Sequence, residues 1–394
     1  FDATQRASST DPYTQQEFDA SVRSARAYAD AEGPVLPETT RTKLAQADFE
    51  DVEDEENLWD ASPQLRHIAQ AADNIGCNPY ALLSAVVTRI LVQIDPDVLL
   101  VGSQDGSVGS RAALNLGVVL VGASGQGKTT IQEKSDELIP GTARFEAKPS
   151  TGQGLIQAYL EQRPDSEELQ LKSEPKCLWL FDEIDTLAAT AADKTSTLLS
   201  EVRTMLTGGM TGTKNATLSR QRHLPKRSYN FQMIVNAQPS RAGVLLDDRD
   251  GGTPQRFIWA AVNDPSRVLH VKDRPPWPGP LEWSDVFTLM FSAGEPVVDI
   301  PQWLKDELLD YDVRVRREGI EGGPLRRNSH KNLLRLKVAT GIAFLHESHR
   351  IEDWHVHIAD VVLRSSYRVQ QECEVIIART AFESKMNKVR SESR

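Results

Sequence analysis

Leu116-Gly117-Val118-Val119-Leu120-Val121-Gly122-Ala123-Ser124-Gly125-Gln126-Gly127-Lys128-Thr129-Thr130 runs from an unbroken apolar stretch into the pattern G-x-x-x-x-G-K-T. The apolar part, rich in β-branched residues, reads as a strand buried on both faces. Gly122, Gly125 and Gly127 then open backbone angles closed to residues with a Cβ, so successive N–H groups can turn inward and form a nest for an anion. Lys128 adds an ammonium for the β- and γ-phosphates, Thr129 offers a hydroxyl to Mg²⁺, and a helix starting around Thr129 aims its positive end at the same charge. The stretch therefore predicts a loop that binds a nucleoside triphosphate, made of Gly122, Ser124, Gly125, Gln126, Gly127, Lys128, Thr129 and Thr130.

About fifty residues on stands Cys177-Leu178-Trp179-Leu180-Phe181-Asp182-Glu183. Five apolar residues form a second buried parallel strand, and two carboxylates sit at its C-terminal end, where open α/β sheets bind their ligands. This is the pattern of a Walker B strand. Asp182 is expected to hold Mg²⁺ through water, and Glu183 to polarise the attacking water as general base. The cofactors implied are ATP and Mg²⁺.

The chain has 394 residues, 39% of them hydrophobic, enough for one large core or two medium ones. It begins with Phe1 rather than Met, as a fragment or processed product does. No apolar stretch reaches the roughly 18 residues of a membrane helix, and the N-terminus lacks the layout of a secretory signal, so a cytoplasmic location and no membrane partner are expected. Cys77, Cys177 and Cys373 form no C-x-x-C pair and read as reduced thiols. His346, His349, His355 and His357 lack the spacing of a zinc site and read as surface residues. The net charge of −11 is unevenly spread: Asp48 to Glu56 is strongly acidic, whereas Gly208 to Asn230 holds Lys214, Arg220, Arg222, Lys226 and Arg227 and no acid.

Residues 1–57 read as an acidic, polar tail or linker, with helix-compatible fragments such as Gln16 to Ala31. Residues 58–110 read as a helical N-terminal subdomain: Leu65, Ile68, Ala69 and Ala72 recur at helical spacing, Asn78-Pro79 opens a second apolar helix, and a Gly/Ser-rich loop follows from Val101 to Arg111. Residues 111–275 form the α/β core. After the Walker B strand come an amphipathic helix over Thr195–Leu206, a basic segment whose glycines and alternation predict a hairpin, and the strand Phe231–Asn236. Gly251-Gly252-Thr253-Pro254-Gln255-Arg256 leads into the strand Phe257–Val262. Residues 276–394 read as a helical C-terminal lid, with helices over Ile300–Glu318, over Lys331–His346 and from Ile351 onward.

On the two nucleotide motifs, "GGTPQRF" and Trp59-Asp60-Ala61, the chain resembles AAA+ helicase-like P-loop ATPases of phages and mobile elements, over about Leu58 to Leu363. Minichromosome-maintenance helicases look like more distant relatives. The resemblance implies a parallel sheet flanked by helices. It gives Asn236 the place of the sensor 1 residue beside the γ-phosphate, and Arg256 that of an arginine finger supplied in trans to a neighbour's nucleotide. Arg335 resembles the lid arginine of the minichromosome-maintenance type, with Arg327 competing for that role. Lys214 to Arg227 occupies the stretch that in such helicases carries a basic hairpin to nucleic acid, although several arginines replace one diagnostic lysine. The implied protein is a ring, hexameric by expectation, that moves along single-stranded or forked DNA, with a primase or initiator as further partner. The alternatives are an ATP-dependent loader or remodeller of such a partner, and a nucleotide switch in a defence system.

Overall fold

The computed structural model describes residues 58–100, 112–141, 144–145, 151–164, 166, 168–185, 187, 197–213, 222–248, 251–283, 297–317 and 329–392. The chain divides into two compact units. The larger is Val52–Glu374, and the smaller takes in residues 375–394. The expected fragments in residues 1–57, the loop over Val101–Arg111, Lys214, Arg220 and Arg327 lie outside the described residues.

Helices of six residues or more are α1 (Pro63–Ile75), α2 (Pro79–Gln93), α3 (Lys128–Leu138), α4 (Gly152–Gln157), α5 (Leu198–Leu206), α6 (Gln302–Arg317), α7 (Ser329–Leu345) and α8 (Asp353–Glu392). Strands are β1 (Leu99–Leu100), β2 (Ala112–Ala113), β3 (Leu116–Val121), β4 (Arg144–Phe145), β5 (Leu160–Gln162), β6 (Leu169–Leu171), β7 (Lys176–Phe181), β8 (Thr211–Thr213), β9 (Arg222–Leu224), β10 (Asn230–Ala237), β11 (Phe257–Ala261) and β12 (Val297–Val298). The fold is α/β. Its main sheet runs β11-β3-β10-β7, with the two-residue β4 added at the edge beside β7. Every pairing in it is parallel. The motif strands β3 and β7 are thus separated by β10, and all their C-terminal ends share one edge.

Helix ends follow local chemistry. Ser62 caps α1 by accepting from Leu65 N–H at 3.1 Å, and Asn78 caps α2 by accepting from Tyr80 N–H at 3.0 Å, each followed by a proline at the first helical position. The helical positions Leu65, Ile68, Ala69 and Ala72 are all buried. They belong to one continuous core with α2, α7, part of α8 and one sheet face, that of Leu116, Val118, Leu120, Leu178, Ile234 and Ile258. The N-terminal helices therefore share their apolar interior with the sheet instead of building a separate one. The opposite sheet face buries Trp179, Phe231, Met233, Phe257 and Trp259.

Two buried cations fasten the helices, one to another helix and one to the sheet. Arg89 of α2, fully buried, donates from Nε to Ser135 Oγ at 2.7 Å and from Nη2 to Gln132 O at 2.8 Å, and pairs closely with the Asp136 carboxylate, all on α3. Lys337 of α7, 4% exposed, donates to Asn115 O at 2.5 Å and Leu206 O at 2.7 Å, gripping the start of β3 and the end of α5. Burial, reinforced by nearby Arg256, pulls the Lys337 ammonium down to about 7. Removing one member of a buried ionic cluster leaves its partners uncompensated, so Arg89→Ala is expected to cost about 3–5 kcal/mol of stability. Urea unfolding measures this directly, and a loss below 1 kcal/mol would show the clamp to be unimportant.

Between β11 and the C-terminal helices the chain makes a crossing over 263–283, with short 3-10 turns at Pro265–Arg267 and Val271–Asp273 and five prolines, Pro265, Pro275, Pro276, Pro278 and Pro280. It bonds along α1: Asn74 Nδ2 donates to Pro275 O at 2.8 Å, Gln70 Nε2 donates to Pro276 O at 3.1 Å, and Arg267 holds Asp73 at 2.9 Å. It then reaches α3, where Leu281 N donates to Leu138 O at 3.0 Å and Lys134 lies 4.8 Å from the Trp277 ring centre, and ends on α7, where Trp283 Nε1 donates to Phe344 O at 2.8 Å. Residues 276–283, the first of the segment expected to form the lid, belong to this strap.

The expectation of surface histidines needs correcting. His349 and His357 are exposed, but His355 is 1% exposed, its ring centre 3.9 Å from that of Trp354 with the planes tilted at 40°, and its Nδ1 accepts from Glu352 N–H. His346 is half-buried and bridges Ile342 O and the Ser62 hydroxyl. Apolar surroundings pull the His355 imidazole down to about 4, with His346 adding to the effect. The three cysteines are free: Cys177 and Cys373 are buried and Cys77 is half-buried. Among the described residues no helix is long and apolar enough to cross a membrane.

Candidate nucleotide site

The loop after β3 is anchored on both sides where it leaves the sheet. Gly122 N donates to Ala237 O at 3.0 Å, and Val262 N donates to Val121 O at 2.9 Å. Gly125 and Gly127 adopt φ of 79° and 84°, in the left-handed region that favours glycine. Gln126 closes the turn, its Oε1 accepting from Ala123 N–H at 2.6 Å. Helix α3 starts at Lys128, and its first closing bond runs from Ile131 N to Gly127 O, so the N–H groups of Lys128, Thr129 and Thr130 precede that ladder. Ala123, Ser124, Gly125, Gln126 and Thr129 are exposed, whereas Gly127, Lys128 and Thr130 are half-buried. An open cradle of donors at the positive end of an eleven-residue helix suits a polyphosphate.

Lys128 Nζ donates to Gly122 O and Ala123 O, both at 2.7 Å, so the ammonium sits over the cradle. Burial holds it below its ordinary value, while the Glu183 carboxylate pulls the other way. That opposition places the two side chains within electrostatic reach of each other. The register explains why. Phe181 pairs with Val235, so Asp182 and Glu183 leave β7 level with the end of β10, and Ile184 N donates to Asn236 O at 2.9 Å to fix the turn. Asp182 and Glu183 are both exposed on the edge where the loop opens. Thr129 and Asp182 offer there the hard oxygen donors that Mg²⁺ prefers.

Asn236 stands between the two motifs on β10, paired in register with Leu120. It is 1% exposed, and its Oδ1 accepts from Gln132 Nε2 of α3 at 3.2 Å. Gln132 escaped the sequence reading, because a glutamine four residues into a helix carries no mark of its tertiary partner.

The structure sets the two arginines apart from this edge. Arg256 precedes β11, whose Phe257 pairs with Gly117 near the start of β3, so it lies on the edge opposite the loop. There it donates from Nη1 to Gly251 O at 2.7 Å and Gly252 O at 2.6 Å, amid Arg203, Asp248 and His330. Arg335 is two residues from Lys337, which grips the start of β3. It is clamped by Asp360 through Nε at 2.6 Å and Nη2 at 2.7 Å, and by Glu307 through Nη1 at 2.9 Å. Those carboxylates hold its guanidinium charged more firmly against the cost of burial. Within one chain, neither arginine is brought to Lys128.

The expected hairpin exists at its described base. β8 and β9 pair antiparallel, and a Cβ at Gly212 would lie 1.9 Å from Arg222 O, which explains the glycine. Arg222 is half-buried and donates from Nε to Gln157 Oε1 at 2.7 Å. Lys226 is exposed, and Arg227 is half-buried with a φ of 62°. Comparison with protein-family models and with curated proteins found no match.

Proposed function

We propose that this chain is a Mg²⁺-dependent ATPase of the AAA+ type, working in a ring as a motor on DNA. The observation that carries the reading is the convergence of Lys128, Asp182, Glu183 and Asn236 on one edge of a parallel sheet, at the mouth of a glycine-turned helix start. The donor set fits a triphosphate and its metal: cradle N–H groups and Lys128 for the phosphates, Thr129 and Asp182 for Mg²⁺. Bound Mg²⁺ supplies neutralisation of the charge that grows on the phosphates in the transition state. Glu183 orients and deprotonates water, Lys128 stabilises the charge spreading over the terminal phosphate, and Asn236 lies where a polar group would sense it.

Arg256 supports the oligomeric part of the reading. The edge that carries it is about five residues of strand, or roughly 16 Å, from the loop of the same chain. If Arg256 serves a nucleotide, that nucleotide belongs to another subunit. The β8–β9 hairpin, rising from the segment with no acidic residue, is the element we assign to sequence-blind phosphate contacts. Arg222, tied to Gln157, favours a second reading, a loader or remodeller acting on a protein partner, because it takes one cation away from nucleic acid.

ATP hydrolysis measured with and without single-stranded DNA, alongside native mass, separates these readings. A rate raised about tenfold or more by DNA in a ring-sized particle supports the motor, since strand engagement and hydrolysis are then coupled. A rate indifferent to DNA but raised by a protein partner supports the remodeller. A wild-type chain that binds no nucleotide sinks both.

A further inference from the structure

We propose that the corner where α8 begins is an acid-sensitive joint: His355 closes the first turn of α8 through a nitrogen lone pair that a proton can take away, so acidification frees that turn from α7 and α1. Glu352 caps the helix, its carbonyl accepting from His355 N at 3.0 Å and from Val356 N at 3.3 Å. Three residues on, the His355 side chain reaches back, and its Nδ1 accepts from Glu352 N–H at 2.9 Å. Glutamate or glutamine ordinarily makes this return bond at a helix start. Histidine can make it only while neutral.

A backbone N–H only donates, so Nδ1 is bare and the ring proton sits on Nε2. That nitrogen is buried and has no partner among the described residues. An imidazolium in this place, 1% exposed, would set one N–H against a donor and the other against no acceptor. His346 repeats the pattern. Its Nδ1 meets Ile342 O at 2.7 Å, an atom that only accepts, so its Nε2 is bare and takes the hydroxyl proton of Ser62 at 2.8 Å. Ser62 is the cap of α1. Two helix starts thus lean on the lone pairs of neighbouring imidazoles, whose ring centres are 5.7 Å apart.

The groups around His355 pull both ways. The Glu352 carboxylate, which accepts from Trp354 Nε1 at 2.9 Å, and the Trp354 ring face favour a proton. Burial and His346 on α7 oppose it, and from α1 comes only the uncharged Ser62 hydroxyl; burial prevails and holds the imidazole near 4. Further along α8, Asp360 clamps Arg335 of α7, and the Ser366 hydroxyl accepts from Trp259 N of β11 at 2.7 Å. The joint therefore acts on the helix that ties α7 to the sheet.

Once released, His355 titrates near its ordinary value of about 6.5. The closed joint accordingly keeps its full advantage above about pH 6.5 and loses it as the pH falls toward 4. Between pH 8 and pH 5 this raises opening about thirtyfold. Amide exchange of the full chain, followed by mass spectrometry at those two pH values and corrected for intrinsic exchange, reads it. Wild-type protection over 353–363 is expected to fall about thirtyfold, with no comparable fall in α2. His355→Asn puts an oxygen that does not titrate where Nδ1 stood, and its protection is expected to hold within about threefold. His355→Gln, the usual residue for this bond, carries the same test should the asparagine variant fail to fold. The proposal is overturned if wild-type protection is unchanged, if α2 loses as much as the start of α8, or if the folded variant falls as far as wild type.

Discussion

Glu183→Gln is expected to leave a protein that binds ATP with wild-type affinity and scarcely hydrolyses it. The carboxylate stands exposed on the sheet edge, close enough to Lys128 to act on its ammonium, yet its peptide is pinned by the bond from Ile184 N to Asn236 O. A glutamine keeps the size and the hydrogen-bonding reach but cannot take a proton from water. General-base catalysis contributes about 10²–10⁴-fold in enzymes, so turnover should drop by at least about a hundredfold. Single-turnover hydrolysis with a radiolabelled terminal phosphate gives the rate, and analogue titration gives the affinity. If the variant hydrolysed at one tenth of the wild-type rate or faster, Glu183 could not be the base, and Asp182 would be the next carboxylate to examine.

Lys128→Ala should produce the complementary defect, loss of binding itself. Its Nζ hovers over the glycine turn on two carbonyls of the loop, 2.7 Å from each. A charge-assisted bond is worth about 1.5–3 kcal/mol, and more than one such bond to phosphate is lost, so affinity is expected to weaken at least about a hundredfold. The unliganded fold should hardly notice, changing by about 0.5 kcal/mol or less, because the side chain is only half-buried and bonds locally. Calorimetric titration with ATP together with a thermal melt tests both halves. Unchanged affinity in the variant would mean that polyphosphate is not what this loop receives.

Those two outcomes concern residues that were legible in the sequence, and the reason is local. A strand buried on both faces announces itself as an apolar run, and a phosphate cradle needs glycines at fixed offsets, so Val118 to Thr129 carries its own description. The strand β7 is legible for the same reason, and the hairpin follows from the turn chemistry at Gly212. The buried anchors could not be read in this way. Arg89 and Lys337 are polar residues whose burial depends on partners 43 to 47 and 131 to 222 positions away. His355 is indistinguishable in sequence from its exposed neighbour His357. Short strands such as β5 and β6 lack a period long enough to register, and the strap over 263–283 looks like an ordinary proline-rich loop until its bonds to α1, α3 and α7 are seen. The order of the strands, with β10 inserted between the two motif strands, is a property of the assembled sheet alone.

That strap has a mechanical consequence. Its prolines fix five φ angles in advance, so little slack is left for the segment to take up when either end is displaced. Any tilt of α3 would be felt at Leu138 and Lys134 and carried over the few residues from Trp277 to Trp283 to Phe344 of α7, more than 200 positions along the chain.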